Sequence, residues 1–411
     1  MRVDIKKVTE RLEELYSCGR REDGSCSRVA CSPEDIKGRG KFIGYFKKLG
    51  IEPTIDKAGN IIARLEGNNA ELPSIIIGSH LDTVPNGGKY DGALGCVAGL
   101  GICEALIESG RRLNHSLEII AFTDEEGARF GNGMVGSAAF SSIPPDFADS
   151  DVDIYGMTRG EVYKAFGIST STLAQAARPA GTVRCFIELH VEQGASLDKK
   201  KVPVGVVSFI AGVKRYEITI HGEPNHAGST LMADRKDALA AAAKFISAVP
   251  EVVSAYGREY TVATVGTIKV SPGSVNVIPG ECVFGLEIRD QSAKIINLIE
   301  ERLKIILGQF SGKCTYSFRQ ITSHAPAPMT EWVRSSIMES CVKLGYACLS
   351  MPSGAFHDSL LISSVFPTGM IFIPSVGGIS HSPLEFSTES DMEKGCDVLF
   401  QTVLTIDSKI S

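Results

Sequence analysis

Four stretches of this chain read as strands without a polar side: SIIIGSH (74–80), SLEIIAF (116–122), CFIELHV (185–191) and TGMIFIP (368–374). A strand that shows one face to water alternates polar and apolar residues, whereas these runs do not, so both of their faces must be covered. The interleaved apolar segment GCVAGLGICEALIESG (95–110) has the length and composition of a covering helix. NIIARL (60–65) and VGVVSFI (204–210) add two further strands. The expected architecture is an α/β domain, a mixed sheet flanked by helices. CSPEDIKGRGKFIGYFKKLG (31–50) supplies one such helix, with Ser32 at the N-cap, Pro33 at the first helical position and Gly50 as the stop.

From about Lys214 the pattern changes. KRYEITIHG alternates like a half-exposed strand; a helix over 233–249, strands in YTVATVGTIKV and CVFGLEIRD, a helix over 291–307 and a strand in CTYSFRQIT follow. That order, β-α-β-β-α-β, is the ferredoxin-like split unit. After it, EWVRSSIMESCVKLG, TGMIFIP and ESDMEKGCDVLFQTVLTI return to helix, strand and helix. The simplest partition is therefore a discontinuous α/β domain, 1–211 and 324–411, interrupted by an α+β domain over 212–323. At 411 residues with 43% hydrophobic content, two cores are expected.

Charge and cysteine usage exclude several classes. A net charge of −6 without a basic block gives no track for a nucleic acid backbone. The N-terminal MRVDIKKVTERLEELYS interleaves charge with apolar residues, unlike a signal peptide, and no apolar segment is expected to reach membrane-spanning length. Eleven cysteines, odd in number and with no C-x-x-C pair, suit reduced thiols and a cytoplasmic location.

The chemistry-bearing residues fall at the ends of the apolar runs. They are His80 and Asp82 in GSHLDTV, Asp91 in KYDGALG, Glu125 and Glu126 in FTDEEGARF, His190 in ELHVEQG and His381 in GISHSP. Imidazole with carboxylate suits zinc, manganese, cobalt or nickel, and open α/β sheets carry their sites beyond the carboxyl ends of strands. Taken singly, each has an ordinary reading: a core histidine, a turn aspartate before Gly92, a solvated acidic loop. Their shared position at element ends argues for a joint role.

GSHLDTVPNGGKYDGALG, FTDEEGARFGNGMVGS, ELHVEQG, NHAGST, GSVNVIPG, LEIRD and GISHSP, in this order, resemble the motifs of a dinuclear-metal amidohydrolase family. That family, a branch of the zinc aminopeptidase-like enzymes, includes N-carbamoyl-L-amino-acid hydrolases, β-ureidopropionases and allantoate amidohydrolases. The resemblance implies two divalent metal ions per subunit, with Asp91 bridging them, His80 and His190 completing one site, and Glu126 and His381 the other. It makes Glu125 the general base, and Asp82 is placed to accept the second N–H of His80. It implies substrate contacts from Gln193, Asn276, Arg289 and the backbone N–H groups of Gly377 and Gly378. It also makes the inserted unit a lid that forms a homodimer, with His226 reaching the partner's site. The implied reaction is hydrolysis of a linear ureido or N-carbamoyl bond in a carboxylate-bearing substrate. A dipeptidase on the same centre, or a metal-binding protein without turnover, are the alternatives. Two departures from the family pattern, Phe356 in GAFHD where glycine is common and Leu231 in GSTLM where proline is common, leave the side-chain preference open.

Overall fold

The computed structural model describes residues 1–409. The chain divides into two compact units, one formed by Met1–Ser208 together with the chain from Pro328 onward, the other by Phe209–Ala327.

The first unit is built on a nine-stranded mixed sheet. Its strands are β1 (Thr54–Ile55), β2 (Ile61–Leu65), β3 (Ser74–His80), β4 (Leu117–Phe122), β5 (Val183–Val191), β6 (Val204–Ile210), β11 (Ala327–Pro328), β12 (Cys348–Ser353) and β13 (Thr368–Ile373). They lie in the order β1-β2-β4-β3-β5-β13-β6-β11, with β12 paired to β6. The four central strands, β4, β3, β5 and β13, are mutually parallel, so their carboxyl ends emerge along one edge. β3, β4 and β13 are buried along their whole length, as runs lacking polar alternation require. On one face, helices Ile5–Tyr16, Ala93–Glu108, Glu331–Leu344 and Glu389–Asp407 contribute to a single apolar core. On the other, Ile76, Ile120, Phe122 and Phe186 of the strands pack with Phe140, Ile362 and Phe366.

Local signals fix the helix starts. Ser32 caps Pro33–Lys48 by accepting the Asp35 N–H at 3.1 Å, and Asp4 caps the first helix by accepting the Lys6 N–H at 3.0 Å. Helix Ala93–Glu108 lies almost wholly buried, and close approach to the sheet depends on Gly95. A Cβ there would fall 2.4 Å from the Leu189 carbonyl oxygen and 3.0 Å from Ser79 Cβ.

The second unit is a four-stranded antiparallel sheet in the order β10-β7-β9-β8. β7 is Gly212–His221, β8 Val262–Ser271, β9 Glu281–Asp290 and β10 Thr315–His324, with helices Ala238–Tyr256 and Ala293–Phe310 completing the β-α-β-β-α-β order. β9 alternates half-buried and buried residues along its length, and its buried Cys282, Phe284, Leu286 and Ile288 share a core with Phe245, Val249 and Leu303 of the two helices.

Two expectations need correction. The first of these helices starts after Asp237, which caps it by accepting the Ala240 N–H, and runs through Pro250 to Tyr256. Proline removes one ladder hydrogen bond, but Val249 and Val252 remain buried in the sheet-side core, so packing carries the helix past it. The same helix, 19 residues with mean hydropathy 1.4, is also long and apolar enough to cross a membrane by composition. In this fold its apolar side is the sheet-facing core of the second unit.

These contacts predict opposite signs for two glycine substitutions. Gly95→Ala should destabilise the protein by about 1–3 kcal/mol through overpacking against β3 and β5. Gly40→Ala, exposed in helix Pro33–Lys48 with nothing within 4 Å of the added carbon, should stabilise by ~0.5–1 kcal/mol. Denaturant unfolding of both variants reads the two signs directly.

Candidate metal centre

Each of the four parallel strands delivers a polar residue to the same edge. His80 is the last residue of β3, the acids 124–126 follow β4, His190 lies one residue from the end of β5, and the segment leading to His381 follows β13. Asp91 sits between β3 and helix Ala93–Glu108, just ahead of Gly92 at the N-cap. Gly92 has φ +62°, and a Cβ there would lie 2.4 Å from the His80 ring, so only glycine lets that imidazole come in beside Asp91.

Asp91 is the centre of the cluster. Its Oδ1 lies 3.0 Å from His190 Nε2 and 3.5 Å from His80 Nε2, while its Oδ2 lies 3.1 Å from His381 Nε2. His381 Nε2 is in turn 3.6 Å from Glu126 Oε2, and His80 Nε2 is 3.7 Å from Glu125 Oε2. The donors thus form two groups that share only Asp91: His80, Asp91 and His190, and Asp91, Glu126 and His381, each with ligand atoms within 4.8 Å of one another. A third group of that size, Glu188, His190 and His357, is already satisfied internally. Glu188 accepts from the Ser79 and Ser359 hydroxyls, and His357 Nε2 pairs with Ser353 Oγ.

The imidazole tautomers test whether cations fit. His80 Nδ1 donates to the Asp82 carbonyl oxygen at 3.0 Å and His190 Nδ1 to the Val191 carbonyl oxygen at 2.8 Å. Neutral rings held this way turn an unprotonated Nε2 toward Asp91, and that of His190 already accepts the Gly92 N–H at 3.1 Å. Lone pairs of nitrogen and carboxylate oxygen then face each other at 3.0 Å, which repels unless a positive charge lies between them. The donor set fits two divalent cations.

Electrostatics carry the same signature. Burial pushes Glu125 well above the usual carboxylate range, reinforced by Glu126, Asp358 and Asp82 and opposed by His80. Burial and then the Asp91 charge raise Glu126 to about 7. Burial also works against ionised Asp91; where no cation is present, protons on the His190, His381 and His80 rings hydrogen-bond to it instead, hold it well below the usual range and are themselves held above the usual imidazole range by the carboxylates. His381, half exposed, is raised to about 9, chiefly by Asp91. Bound cations would oppose both the burial and the repulsion that raise the two glutamates.

The remaining candidates are distributed as follows. The Asp82 carboxylate is 3.9 Å from His80 Nδ1, so the expected orienting role falls instead to the Asp82 backbone carbonyl. The carboxylate accepts the backbone N–H groups of Glu125 (3.3 Å) and Glu126 (3.1 Å) and so fixes the acidic loop. Gln193, at φ +56°, donates from Nε2 to Asp91 Oδ2 at 2.7 Å. The Gly377 N–H is taken by Asp198 Oδ2 and the Gly378 N–H by the Ser375 carbonyl, each at 2.9 Å, so each would have to exchange its present acceptor to contact a substrate. In the second unit, His226 and Asn276 lie on adjoining segments, joined by the Ala227 N–H on the Asn276 carbonyl and a His226–Val277 bridge. His226 Nδ1 accepts the Gly228 N–H at 3.1 Å, which leaves Nε2–H as the donor of an exposed ring. The Arg289 guanidinium forks onto Glu287 at 2.6 and 3.2 Å, and Arg215 donates to the same carboxylate.

Sequence reasoning missed Glu385 and Ser380. Glu385 is buried beside Asp91, accepting the Tyr90 N–H at 2.7 Å and the Ser380 hydroxyl at 2.7 Å. Its closeness in sequence to His381 was the one available signal.

The chain resembles known proteins over nearly its whole length. Residues 76–405 match peptidase family M20/M25/M40. The chain is 38% identical over 402 residues to an N-carbamoyl-L-amino acid amidohydrolase of Geobacillus stearothermophilus, covering 97% of each chain. It is 32% identical over 401 residues to an allantoate amidohydrolase of Bacillus subtilis, covering 95% of each. A crystal structure of a hydantoinase/carbamoylase family amidase from Burkholderia multivorans superposes with a TM-score of 0.90 at 30% identity, covering 100% of this chain and 99% of that one. The chain with its paired ligand groups around Asp91 therefore belongs to the M20/M25/M40 peptidase family, in its carbamoylase-like amidohydrolase branch.

Proposed function

We propose that this protein is an amidohydrolase that cleaves a linear ureido or N-carbamoyl C–N bond in a carboxylate-bearing substrate and releases ammonia. The full-length similarity to N-carbamoyl-L-amino acid and allantoate amidohydrolases supports the reaction class. The observation that carries the site is Asp91 presenting one oxygen to each of two donor groups, with the Glu125 carboxylate alongside.

In this reading His80, Asp91 and His190 would hold one divalent ion and Asp91, Glu126 and His381 a second, each zinc, manganese, cobalt or nickel. Bound there, such ions would supply Lewis acidity toward the scissile carbonyl and the attacking water. Glu125, set against His80 but not forced into a ligand position, takes the proton of the attacking water on Oε2 and returns it to the departing nitrogen as the C–N bond breaks. Asp82 acts through the backbone, holding Glu125 and Glu126 in place.

Substrate contacts fall to Gln193, Asn276 and Arg289, and the N–H groups of Gly377 and Gly378 contribute only by exchanging their internal acceptors for substrate. Arg289 clamps the substrate carboxylate by exchanging Glu287 for it, since a guanidinium fork suits either anion. The second unit serves as a lid and dimerisation domain, and His226 offers its exposed Nε2–H to the oxyanion in the partner's site. Eleven free cysteines support a reducing, cytoplasmic setting.

Ammonia release from allantoate, ureidopropionate and several N-carbamoyl-L-amino acids tests the reaction. Turnover of dipeptides alone would overturn it. Glu125→Gln should retain two ions per subunit and lose turnover by ~10²-fold or more, whereas Glu126→Gln should lose metal occupancy as well. Elemental analysis of the purified variants separates the two roles. Mixing His226→Ala with Glu125→Gln chains, each nearly inactive, should restore activity once subunits exchange, because one site of the mixed dimer then has both groups. Exchange without recovery would place His226 outside the partner's site.

A further inference from the structure

Asp91 Oδ2 has three neighbours besides any cation: Gln193 Nε2 donates to it at 2.7 Å, the His381 ring lies at 3.1 Å and Ser380 Oγ lies at 3.3 Å. A carboxylate oxygen has about two lone-pair directions, so a hydroxyl proton added to that of Gln193 would leave none for a metal ion. The Ser380 proton is drawn elsewhere. Ser380 Oγ is 2.7 Å from Glu385 Oε2, much closer than it is to Asp91. The other Glu385 oxygen accepts the backbone N–H groups of Tyr90 (2.7 Å) and Asp91 (3.2 Å). Glu385 itself is buried against Gly88, where a Cβ would lie 2.3 Å from Oε1.

We infer that Glu385 is a positioning residue for the bridging carboxylate: it fixes the Asp91 backbone and holds the Ser380 proton away from Asp91 Oδ2, keeping a lone pair open on the His381 side. This rests on the two-cation reading above. A carboxylate is needed because all three of its partners donate. In Glu385→Gln the amide oxygen can still accept the two backbone N–H groups, but the amide NH2 donates to Ser380 Oγ and turns the hydroxyl proton toward Asp91 Oδ2. The substitution preserves shape and reverses one hydrogen bond.

The test is calorimetric titration of metal-stripped protein with Mn²⁺ alone, with thermal unfolding of the metal-free proteins in parallel. Wild type should bind two ions, and Glu385→Gln should unfold near the wild-type temperature but hold one ion roughly 10–100-fold more weakly. Adding Ser380→Ala to Glu385→Gln removes the competing proton and should recover most of that loss, which a purely structural role would not allow. Ser380→Ala alone should cost neither ion any affinity, which keeps the inference open to test if Glu385→Gln does not fold. Equal affinities in wild type and Glu385→Gln, no recovery in the double variant, or a tenfold loss in Ser380→Ala would each overturn it. Wild type that binds fewer than two ions would overturn the two-cation reading instead, and the inference with it.

Discussion

The sharing of one carboxylate between two groups of donors governs the rest of this architecture. Asp82, Asp91, Glu125 and Glu126 lie together in or near the protein interior at the end of a parallel sheet, where low dielectric magnifies their mutual repulsion. Protein donors offset part of that cost: Asp82 holds two backbone N–H groups of the acidic loop, and Asp91 holds the Gln193 amide. In the proposed reading cations would offset the remainder. A site assembled in this way is destabilising when empty and would gain stability from any cation it held, which would link cation binding to folding.

The sheet supplies the precision that such a site needs. Because β4, β3, β5 and β13 are parallel and buried, four loops converge without any of the strands needing a water-facing side. The register places His80 opposite Phe122 and His190 opposite Phe372, so each histidine has a large apolar neighbour on the next strand. Burial there opposes protonation of both rings, whereas Asp91 and, for His80, Glu125 favour it and raise them, so a bound cation rather than the apolar neighbour would keep Nε2 unprotonated.

Much of this was legible in the sequence because it depends on local pattern. Unbroken apolar runs gave the buried strands, period-two alternation gave β7, and Ser32 with Pro33 gave a helix start. The metal-ligand candidates were legible because they sit at strand ends. Contacts that depend on which atom of a residue is used were not. Asp82 lies two residues beyond His80 whether its carboxylate or its carbonyl meets the ring, and only the folded backbone decides between them. The N–H groups of Gly377 and Gly378 are engaged by Asp198 and Ser375, pairings that no spacing rule reaches. Glu385 was hidden because its acceptor role joins it to Tyr90 and Asp91, almost three hundred residues earlier.

The interrupted first unit has a consequence for biosynthesis. β13 pairs with β5 at the middle of the sheet, yet a whole second unit is translated between them. A ribosome that has released β5 has already made His80, Asp91, Glu126 and His190, but the β5 edge has no partner and His381 does not yet exist. Until the C-terminal segment emerges, the nascent chain carries an open parallel edge, a template for pairing with other chains. The first group of donors around Asp91 is then complete while the second is not. The order of synthesis thus separates the two donor groups of the candidate metal centre in time, and the segment that follows the second unit supplies both the strand that covers the β5 edge and His381.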